Sequence, residues 1–340
     1  MSQGLRRLLP QLLTLLAVVV LVSLFFPGFL AVEMRDGRLV GSAVDVLKRG
    51  APVAILAVGM TLVIATRGID LSVGAVMAIC GAASAWAISN EYGLVAALAV
   101  GLAAGLACGL WNGVLVAVFG IQPIVATLIL MVAGRGVAQM ITEGRILTFS
   151  HEGLAFFGAG DVFGVPTPIL IWLGVGLAFG LLVRRTALGL LIEAIGINRP
   201  ASALAGVNAQ VLLIAVYIAS GLCAAVAGII VAADIRGADA NNAGLWLELD
   251  AILAVVIGGT SLLGGRFSIV ASLLGALIIQ TIDTGILLAG FASEFNLVIK
   301  AGLVVIILVL QSPRISPSLA WLPGGRAPSA STTKTSKVTE

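Results

Sequence analysis

The sequence predicts an all-α integral membrane protein with about ten transmembrane helices, at least one of them short or broken. Hydrophobic residues make up 60% of the 340 residues, charged residues only 10%, and the mean hydropathy is +1.15. A soluble domain carries about 25% charged residues, because polar groups have to cover its surface. The 42 glycines agree with a membrane location, since small residues let membrane helices approach one another closely.

Ten apolar runs divide the chain, and most are near the roughly 20 helical residues that a full crossing needs. The run Ala251–Leu263 is too short and is interrupted by Gly258 and Gly259, so we expect a broken helix or a span completed by Leu245–Asp250. The first run lacks a small-residue cleavage site, which favours a helix over a cleaved signal. The runs are Leu8–Phe26, Gly50–Thr66, Leu71–Ile88, Gly93–Phe119, Pro123–Ile141, Pro168–Val183, Val211–Ala233, Ala251–Leu263, Ile269–Leu288 and Phe295–Gln311.

Lysine and arginine set the orientation of a membrane protein, because cytoplasmic loops carry an excess of them. With ten crossings and a cytoplasmic N-terminus, most basic residues fall inside and the acidic loop residues fall outside; Lys48 and Arg49 dissent. The segment 313–340 is rich in Pro, Ser, Thr and Lys and is predicted to be a disordered cytoplasmic tail. Residues 1–312 then form one transmembrane domain with both termini in the cytoplasm.

The sequence carries no sign of an enzyme. No lysine follows a glycine, so there is no G-x-x-x-x-G-K phosphate loop, and His151 is the only histidine. The three cysteines have no metal-ligand spacing and are interpreted as small packing residues. We expect no cofactor, no metal and no nucleic-acid partner. Either another subunit hydrolyses ATP, or an ion gradient drives transport.

A gradient-driven carrier needs titratable groups inside the membrane. The candidates are Asp70, Arg135, Asp283 and Lys300, and their positions do not form an evident relay. Asp70 is interpreted as a helix N-cap or as a contact for a sugar. Arg135 is expected to pair with a carboxylate, for which Asp283 is a candidate, or with carbonyl groups. Lys300 is expected to extend toward the membrane interface.

A path for a polar solute such as a sugar would be lined by amides and aromatic side chains. For each candidate, hydrogen bonding between helices is an equal alternative, and Asn242 is also a candidate cap of the following helix. With Asp70 and Arg135, the predicted path residues are Trp111, Asn112, Gln122, Gln139, Asn241, Asn242, Trp246 and Gln280.

The loop Thr186–Asn208 is the most patterned polar break in the apolar chain. Glycines allow turns and close approach, and we expect one short helix over Leu191–Ile195 and another over Ala201–Ala205. Such a loop suits docking to a partner, although an ordinary cytoplasmic loop is the alternative. Its candidate contact residues are Thr186, Gly189, Glu193, Ala194, Gly196, Asn198, Ala203, Gly206 and Asn208.

Several segments together make the chain resemble the ribose-type family of sugar ABC permeases, over nearly all of residues 5–312. Within that family, Gly134–Gln139 and Ala232–Ile257 are similar to the galactofuranose branch. Where the family often has a glycine before Gly68, this chain has Arg67. The segments that carry the resemblance are Ile55–Ala65, Gly68–Gly74, Gly109–Val114, Gln122–Leu128, Thr186–Gly189, Ala194–Asn198, Ala205–Val207, Ser220–Leu222 and Gly258–Leu262.

The resemblance implies an ABC importer permease in the bacterial inner membrane that moves a galactofuranose-like or ribose-like monosaccharide by alternating access. It implies a tandem-domain ATPase that contacts Glu193–Asn208, a periplasmic sugar-binding protein, and a second permease subunit that is homologous or identical. An ion-gradient-driven sugar carrier is the alternative.

Overall fold

The structure, a computed structural model, describes residues 3–35, 37–290 and 293–311, so the predicted tail lies outside the described residues. The described residues form a helical bundle with three short antiparallel strand pairs, β1 with β2, β3 with β6 and β4 with β5. The helices are α1 (Gln3–Phe25), α2 (Ser42–Arg49), α3 (Ala51–Ala65), α4 (Val73–Ser89), α5 (Gly93–Ala117), α6 (Pro123–Thr142), α7 (Glu152–Ala159), α8 (Thr167–Arg185), α9 (Leu188–Ile197), α10 (Arg199–Leu204), α11 (Ala209–Asp234), α12 (Leu247–Ile257), α13 (Ile269–Leu288) and α14 (Ser293–Gln311). The strands are β1 (Glu33–Arg35), β2 (Arg38–Val40), β3 (Leu147–Thr148), β4 (Asp161–Val162), β5 (Val165–Pro166) and β6 (Gly237–Ala238).

Six of the described helices are long and apolar enough to cross a membrane: α1, α5, α6, α8, α11 and α13. A seventh span results if α2 and α3, which meet at a 41° bend, count as one. The expected number of about ten is therefore not confirmed. The apolar runs were correctly located, but α4 has 17 residues and α12 has 11.

The break predicted near Gly258 is present. Helix α12 ends at Ile257, and Gly259 turns the chain at a left-handed φ of 86°. Eleven residues at about 1.5 Å each reach only about half of a ~30 Å hydrocarbon layer. Helix α12 is thus a short helix, and Leu247–Asp250 lengthens it without making it a full span.

Helix α11 lies at the centre of the bundle and packs against α3, α4 and α5. Its contact with α5 is a seam of glycines: a Cβ on Gly105 would lie 2.5 Å from the carbonyl oxygen of Gly221, and a Cβ on Gly221 would lie 2.3 Å from that of Gly105. Every residue of α3 is buried. Small residues at these contacts let the helix backbones pack closely against one another, as is usual in membrane bundles.

The connecting segments gather at two ends of the bundle. At one, called the α9 end, lie the turn after α3, the α5–α6 connection, helices α9 and α10, and the α12–α13 turn; Gly265 there donates from its backbone N–H to the Ala65 carbonyl at 2.9 Å. At the other, called the strand end, lie the strand pairs and α7, tied by ion pairs such as Arg236 with Glu152. A candidate site at either end is thus held by several connections.

Candidate functional site at the α9 end and the polar segment of the strand end

The loop Thr186–Asn208 folds into two short helices, α9 and α10, as expected, and both are longer than predicted. Its polar residues start the helices. The side chain of Asn198 accepts a hydrogen bond from the Ala201 N–H at 3.0 Å, and Asn208 accepts one from the Val211 N–H at 3.2 Å. These amides satisfy free N–H groups in the first turns of α10 and α11. They therefore shape the loop.

Two loop glycines face the bundle. A Cβ on Gly196 would lie 1.9 Å from the Ala65 carbonyl oxygen, and a Cβ on Gly189 would lie 2.6 Å from Val183. Only a residue without a side chain lets α9 pack this closely against the bundle. Gly206 instead turns the chain at a φ of 86°, with nothing near it. Gly196 and Gly189 thus position α9, and a bulky residue at Gly196 would displace the helix.

The remaining loop candidates lie on the outer side or between these positions. Thr186 and Ala203 are exposed, whereas Glu193 and Ala194 are partly buried. The hydroxyl of Thr186 donates to the Leu182 carbonyl at 2.5 Å and accepts from the Leu188 N–H at 3.2 Å, so Thr186 joins α8 to α9.

Three exposed apolar side chains on α9 and α10 were not predicted from the sequence as docking residues. Leu190 is 74% exposed, Ile197 is 60% exposed and Leu204 is 92% exposed. Apolar residues concentrated on a short polar loop are typical of a surface that a partner covers. The sequence could have indicated these residues, because they lie among the glycines that pack against the bundle and the asparagines that cap the helices.

Five of the predicted path residues lie together around the segment that leads into α12. The guanidinium of Arg135 donates to the carbonyl oxygens of Ala240 at 2.9 Å and Ala243 at 2.6 Å. The amide of Gln139 donates to the side-chain oxygen of Asn241 at 2.8 Å. Arg135 therefore pairs with carbonyls, one of its two expected partners, and the pairing with Asp283 was wrong. We call Asp239–Trp246, with Arg135 and Gln139, the polar segment.

Asp239 organises the turn of the polar segment. It accepts hydrogen bonds from the backbone N–H groups of Asn241 and Asn242 and from the side-chain amide of Asn242 at 2.7 Å. The Asn242 side-chain amide, ahead of the backbone groups, holds the pKa of Asp239 below its usual 3.8, so the carboxylate is ionised at neutral pH. Asn242 was expected to cap α12, which was wrong, because α12 begins five residues later at Leu247.

The polar segment ends at Trp246, which precedes α12 in a left-handed conformation (φ 68°) and is 50% exposed. The segment passes very close to α4, since a Cβ on Gly74 would lie 2.3 Å from the Gly244 carbonyl oxygen. An exposed tryptophan at the start of a short helix and exposed amides in the same segment are the kinds of group that line sites for polar solutes.

A second group of path candidates is buried. Asp70 accepts hydrogen bonds from the N–H and hydroxyl of Ser72, at 3.0 and 2.6 Å, and from the hydroxyl of Ser220 at 2.8 Å. Asn112 donates to the Ser72 hydroxyl at 2.8 Å. Asp70 is not the N-cap, because the α4 cap position is Ser72 and the aspartate binds that residue's own N–H. This network joins the α3–α4 turn to α5 and α11.

The other three path candidates are scattered. Trp111 is 54% exposed on α5, away from the polar segment. Gln122 lines a cavity of 520 Å³ at the α9 end, beside Arg67 and Asn198. Gln280 is buried on α13, where its aliphatic carbons face Gly50. The structure thus does not bring these three together with Arg135 and Gln139.

Lys300 does not extend toward an interface, contrary to expectation. It is buried, and its ammonium group contacts Asp250 at 3.0 Å and Asp283 at 2.9 Å. Pairing inside the protein costs less than leaving three charges unpaired in an apolar environment. The three residues tie α12, α13 and α14 together.

The apolar helices, the capped loop at one end and the polar segment near the other define a multi-pass membrane transport protein, with no catalytic site suggested by the sequence. The chain belongs to the family described as "Branched-chain amino acid transport system / permease component", which matches residues 42–308. The family is one of transport permease subunits.

The chain is also similar to several sugar permeases. It is 60% identical to the galactofuranose transporter permease protein YtfT of Escherichia coli (strain K12), over 90% of both chains. It is 42% identical to the fructose import permease protein FruF of Bifidobacterium longum (strain NCC 2705), over 90% of this chain and 87% of the relative. It is 38% identical to the ribose import permease protein RbsC of Escherichia coli (strain K12), over 89% of this chain and 93% of the relative.

Proposed function

We propose that this chain is the membrane permease subunit of an ATP-driven sugar importer, with a galactofuranose-like monosaccharide as its substrate. The observation that carries this is 60% identity over 90% of both chains to a galactofuranose permease. The fructose and ribose permeases are more distant, at 42% and 38% identity. The matches give no support to the ion-gradient-driven alternative.

The partners follow from the division of labour in such an importer. A separate tandem-domain ATPase supplies the driving force, a periplasmic sugar-binding protein delivers the solute, and a second permease subunit, homologous or identical, completes the pathway. The exposed side chains of Leu190, Ile197 and Leu204 support α9 and α10 as the ATPase-docking surface. Glu193 lies between Leu190 and Ile197 on α9.

The charges support an orientation in the bacterial inner membrane with the α9 end in the cytoplasm. Arginines dominate that end, and Glu193 is the acidic residue of its longest loop. By the positive-inside rule the strand end is then periplasmic and the N-terminus cytoplasmic. If α4, α12 and α14 also lie in the membrane, the number of membrane segments is about ten and the C-terminus is cytoplasmic as well.

Alternating access requires a path that opens to one side at a time. The polar segment supports a sugar contact, since Gln139, Asn241 and Asn242 are exposed and Trp246, in the same segment, is 50% exposed. Amides pair with sugar hydroxyls and an indole ring covers the apolar C–H face. Asp70 and Asn112 are buried within one chain and are better suited to holding helices together than to contacting the sugar.

The substrate is tested by reconstituting the permease with its ATPase and binding protein in liposomes. We expect ATP-dependent uptake of labelled galactofuranose, competed by unlabelled galactofuranose far better than by ribose, xylose or arabinose. Replacing Trp246 with alanine should lower the maximal uptake rate while the ATPase still assembles. Equal competition by all four sugars would reject the substrate, and uptake that ignores ATP but is abolished by an uncoupler would reject the whole assignment.

The docking surface is tested with Leu204→Glu and Glu193→Lys in the same complex. Both side chains can change without filling the bundle, whereas Gly196→Trp would displace α9 and report only on folding. We expect weaker binding of the ATPase and loss of ATP-driven uptake. The control is Phe163→Ser at the strand end, where the side chain is 100% exposed; it should bind the ATPase normally. Normal ATPase binding and uptake in both α9–α10 variants would contradict this surface.

A further inference from the structure

Arg67 links two segments of the α9 end that are far apart in sequence. It follows α3 and lies in the left-handed region, with a φ of 65°. Its guanidinium donates a hydrogen bond to the carbonyl oxygen of Ile197 at 2.7 Å. Ile197 is the last residue of α9, where carbonyl groups lack partners within the helix and carry the negative end of the helix dipole. Arg67 therefore binds the C-terminus of α9.

Backbone contacts join a third segment to this point. The Gly265 N–H donates to the Ala65 carbonyl at 2.9 Å, and a Cβ on Gly264 would lie 2.5 Å from Cγ of Arg67. Gly196 of α9 packs against the same Ala65 carbonyl. The end of α3, the end of α9 and the α12–α13 turn thus meet around Ala65 and Arg67, with no room between them for a larger residue.

The turn that carries Arg67 continues directly into the bundle. Three residues further on, Asp70 binds Ser72 and Ser220. The N–H of Leu71 donates to the Thr127 hydroxyl at 3.2 Å, which connects the turn to the first residues of α6. Hydrogen bonds thus connect the turn that carries Arg67 to the starts of α4 and α6 and to α11.

Arginine is a costly residue in the left-handed backbone conformation of position 67. A non-glycine residue with positive φ is uncommon, and Arg67 is one of six such residues in the described part of the chain. Glycine would adopt this conformation freely, but it would lose the bond to α9. Arg266, also an exposed arginine of the α9 end, makes no side-chain hydrogen bond within the described ranges and serves as the comparison for Arg67.

We propose that Arg67 is a positioning residue that ties α9 to the α3–α4 and α12–α13 turns and so tightens the transfer of motion from the ATPase to the helix bundle. The inference rests on the proposed function of this chain as the permease of an ATP-driven importer. It goes further by assigning the transfer to one hydrogen bond and the packed turns around it.

The test compares wild type, Arg67→Gly, Arg67→Lys and Arg266→Ala in the reconstituted complex, with sugar transported per ATP hydrolysed as the main readout. Arg67→Gly removes the bond while relieving the backbone, so it should fold and assemble as well as wild type. We expect it to transport about fivefold less sugar per ATP, a typical size for an energetic coupling between sites. Arg67→Lys, which keeps a long cationic donor, should recover part of the ratio, and Arg266→Ala should match wild type.

Amide hydrogen exchange provides a second readout that does not depend on transport. In Arg67→Gly we expect faster exchange at the end of α9 and in α10, with unchanged exchange in α5 and α11. An unchanged ratio of sugar to ATP in Arg67→Gly overturns the proposal, and so does an equal fall in Arg266→Ala. Loss of assembly or a lower melting temperature in Arg67→Gly would assign the residue to folding and overturn it too. Failure of the proposed function is recognised separately, because wild type itself would then show no ATP-dependent uptake.

Discussion

Lys300 illustrates how single residues hold the periphery of this bundle. Its ammonium group has a carboxylate on α12 and another on α13 within 3.0 Å. The group has a net negative charge, and only the lysine offsets the repulsion between Asp250 and Asp283. Removing one member of a buried ion pair is far more destabilising than replacing the whole pair with apolar residues, because the remaining charges stay buried without a partner.

We predict that Lys300→Met lowers the free energy of unfolding by about 3–5 kcal/mol, because two carboxylates are left facing each other in an apolar environment. Thermal unfolding of the purified protein in detergent measures the effect. The matched variant combines Lys300→Met with Asp250→Asn and Asp283→Asn and should recover most of the loss. A melting temperature equal to wild type in the single variant would show that the ion pairs are not needed for stability.

At the scale of elements, the contact between α5 and α11 depends on glycines at every fourth residue of α5. Gly105, Gly109 and Gly113 each face the backbone of α11, with hypothetical Cβ positions between 2.5 and 2.9 Å from its atoms. Spacing of four residues places side chains on one face of a helix, and small residues there allow backbones to touch. The seam therefore fixes the distance between the two longest helices.

We expect Gly221→Ala to destabilise the protein by about 1–3 kcal/mol, as added atoms in a closely packed core usually do. The reason is the 2.3 Å separation between the new methyl group and the Gly105 carbonyl oxygen. Gly174→Ala on α8 is the control, since nothing lies within 4 Å of its Cβ position; it should be neutral or slightly stabilising. Thermal unfolding of both variants measures the effect. Equal melting temperatures would contradict the conclusion that this glycine contact stabilises the bundle.

Over the whole molecule, charge and exposure distinguish the two ends of the bundle. The strand end carries many acidic residues in ion pairs, such as Glu152 with Arg236 and Asp161 with Arg38. The α9 end has arginines on three of its connecting segments, Arg67, Arg199 and Arg266. Both ends carry arginines, so the two ends differ mainly in their acidic residues. The bundle separates the proposed ATPase-docking surface from the polar segment.

Labelling of single cysteines tests this sidedness. After replacement of Cys80, Cys108 and Cys223, a cysteine at Leu204 should react with an impermeant maleimide only in inside-out vesicles. A cysteine at Phe163 should react only in right-side-out vesicles or whole cells with a permeable outer membrane. Both side chains are almost fully exposed, at 92% and 100%, so reagent access is not limited by the fold. Labelling of both from the same side would contradict the proposed topology.

The sequence was sufficient to locate the apolar helices and the two short helices of the loop, because hydrophobic length and turn residues are local signals. It could not provide the partner of Arg135, because carbonyl groups of Ala240 and Ala243 have no sequence signature and lie 105 and 108 residues away. Gly196 was assigned to partner docking because a glycine does not reveal which side it faces. The pairing of Lys300 was within reach, since buried charges require a partner.

The hydrogen bonds from Arg135 to Ala240 and Ala243 can form only late in the synthesis of the chain. Helix α6 is made first, and its guanidinium enters the apolar layer more than a hundred residues before Ala240 and Ala243 leave the ribosome. Until then an arginine there is costly unless water or lipid headgroups reach it. The guanidinium of Arg135 therefore lacks both carbonyl acceptors until the residues before α12 have been synthesised.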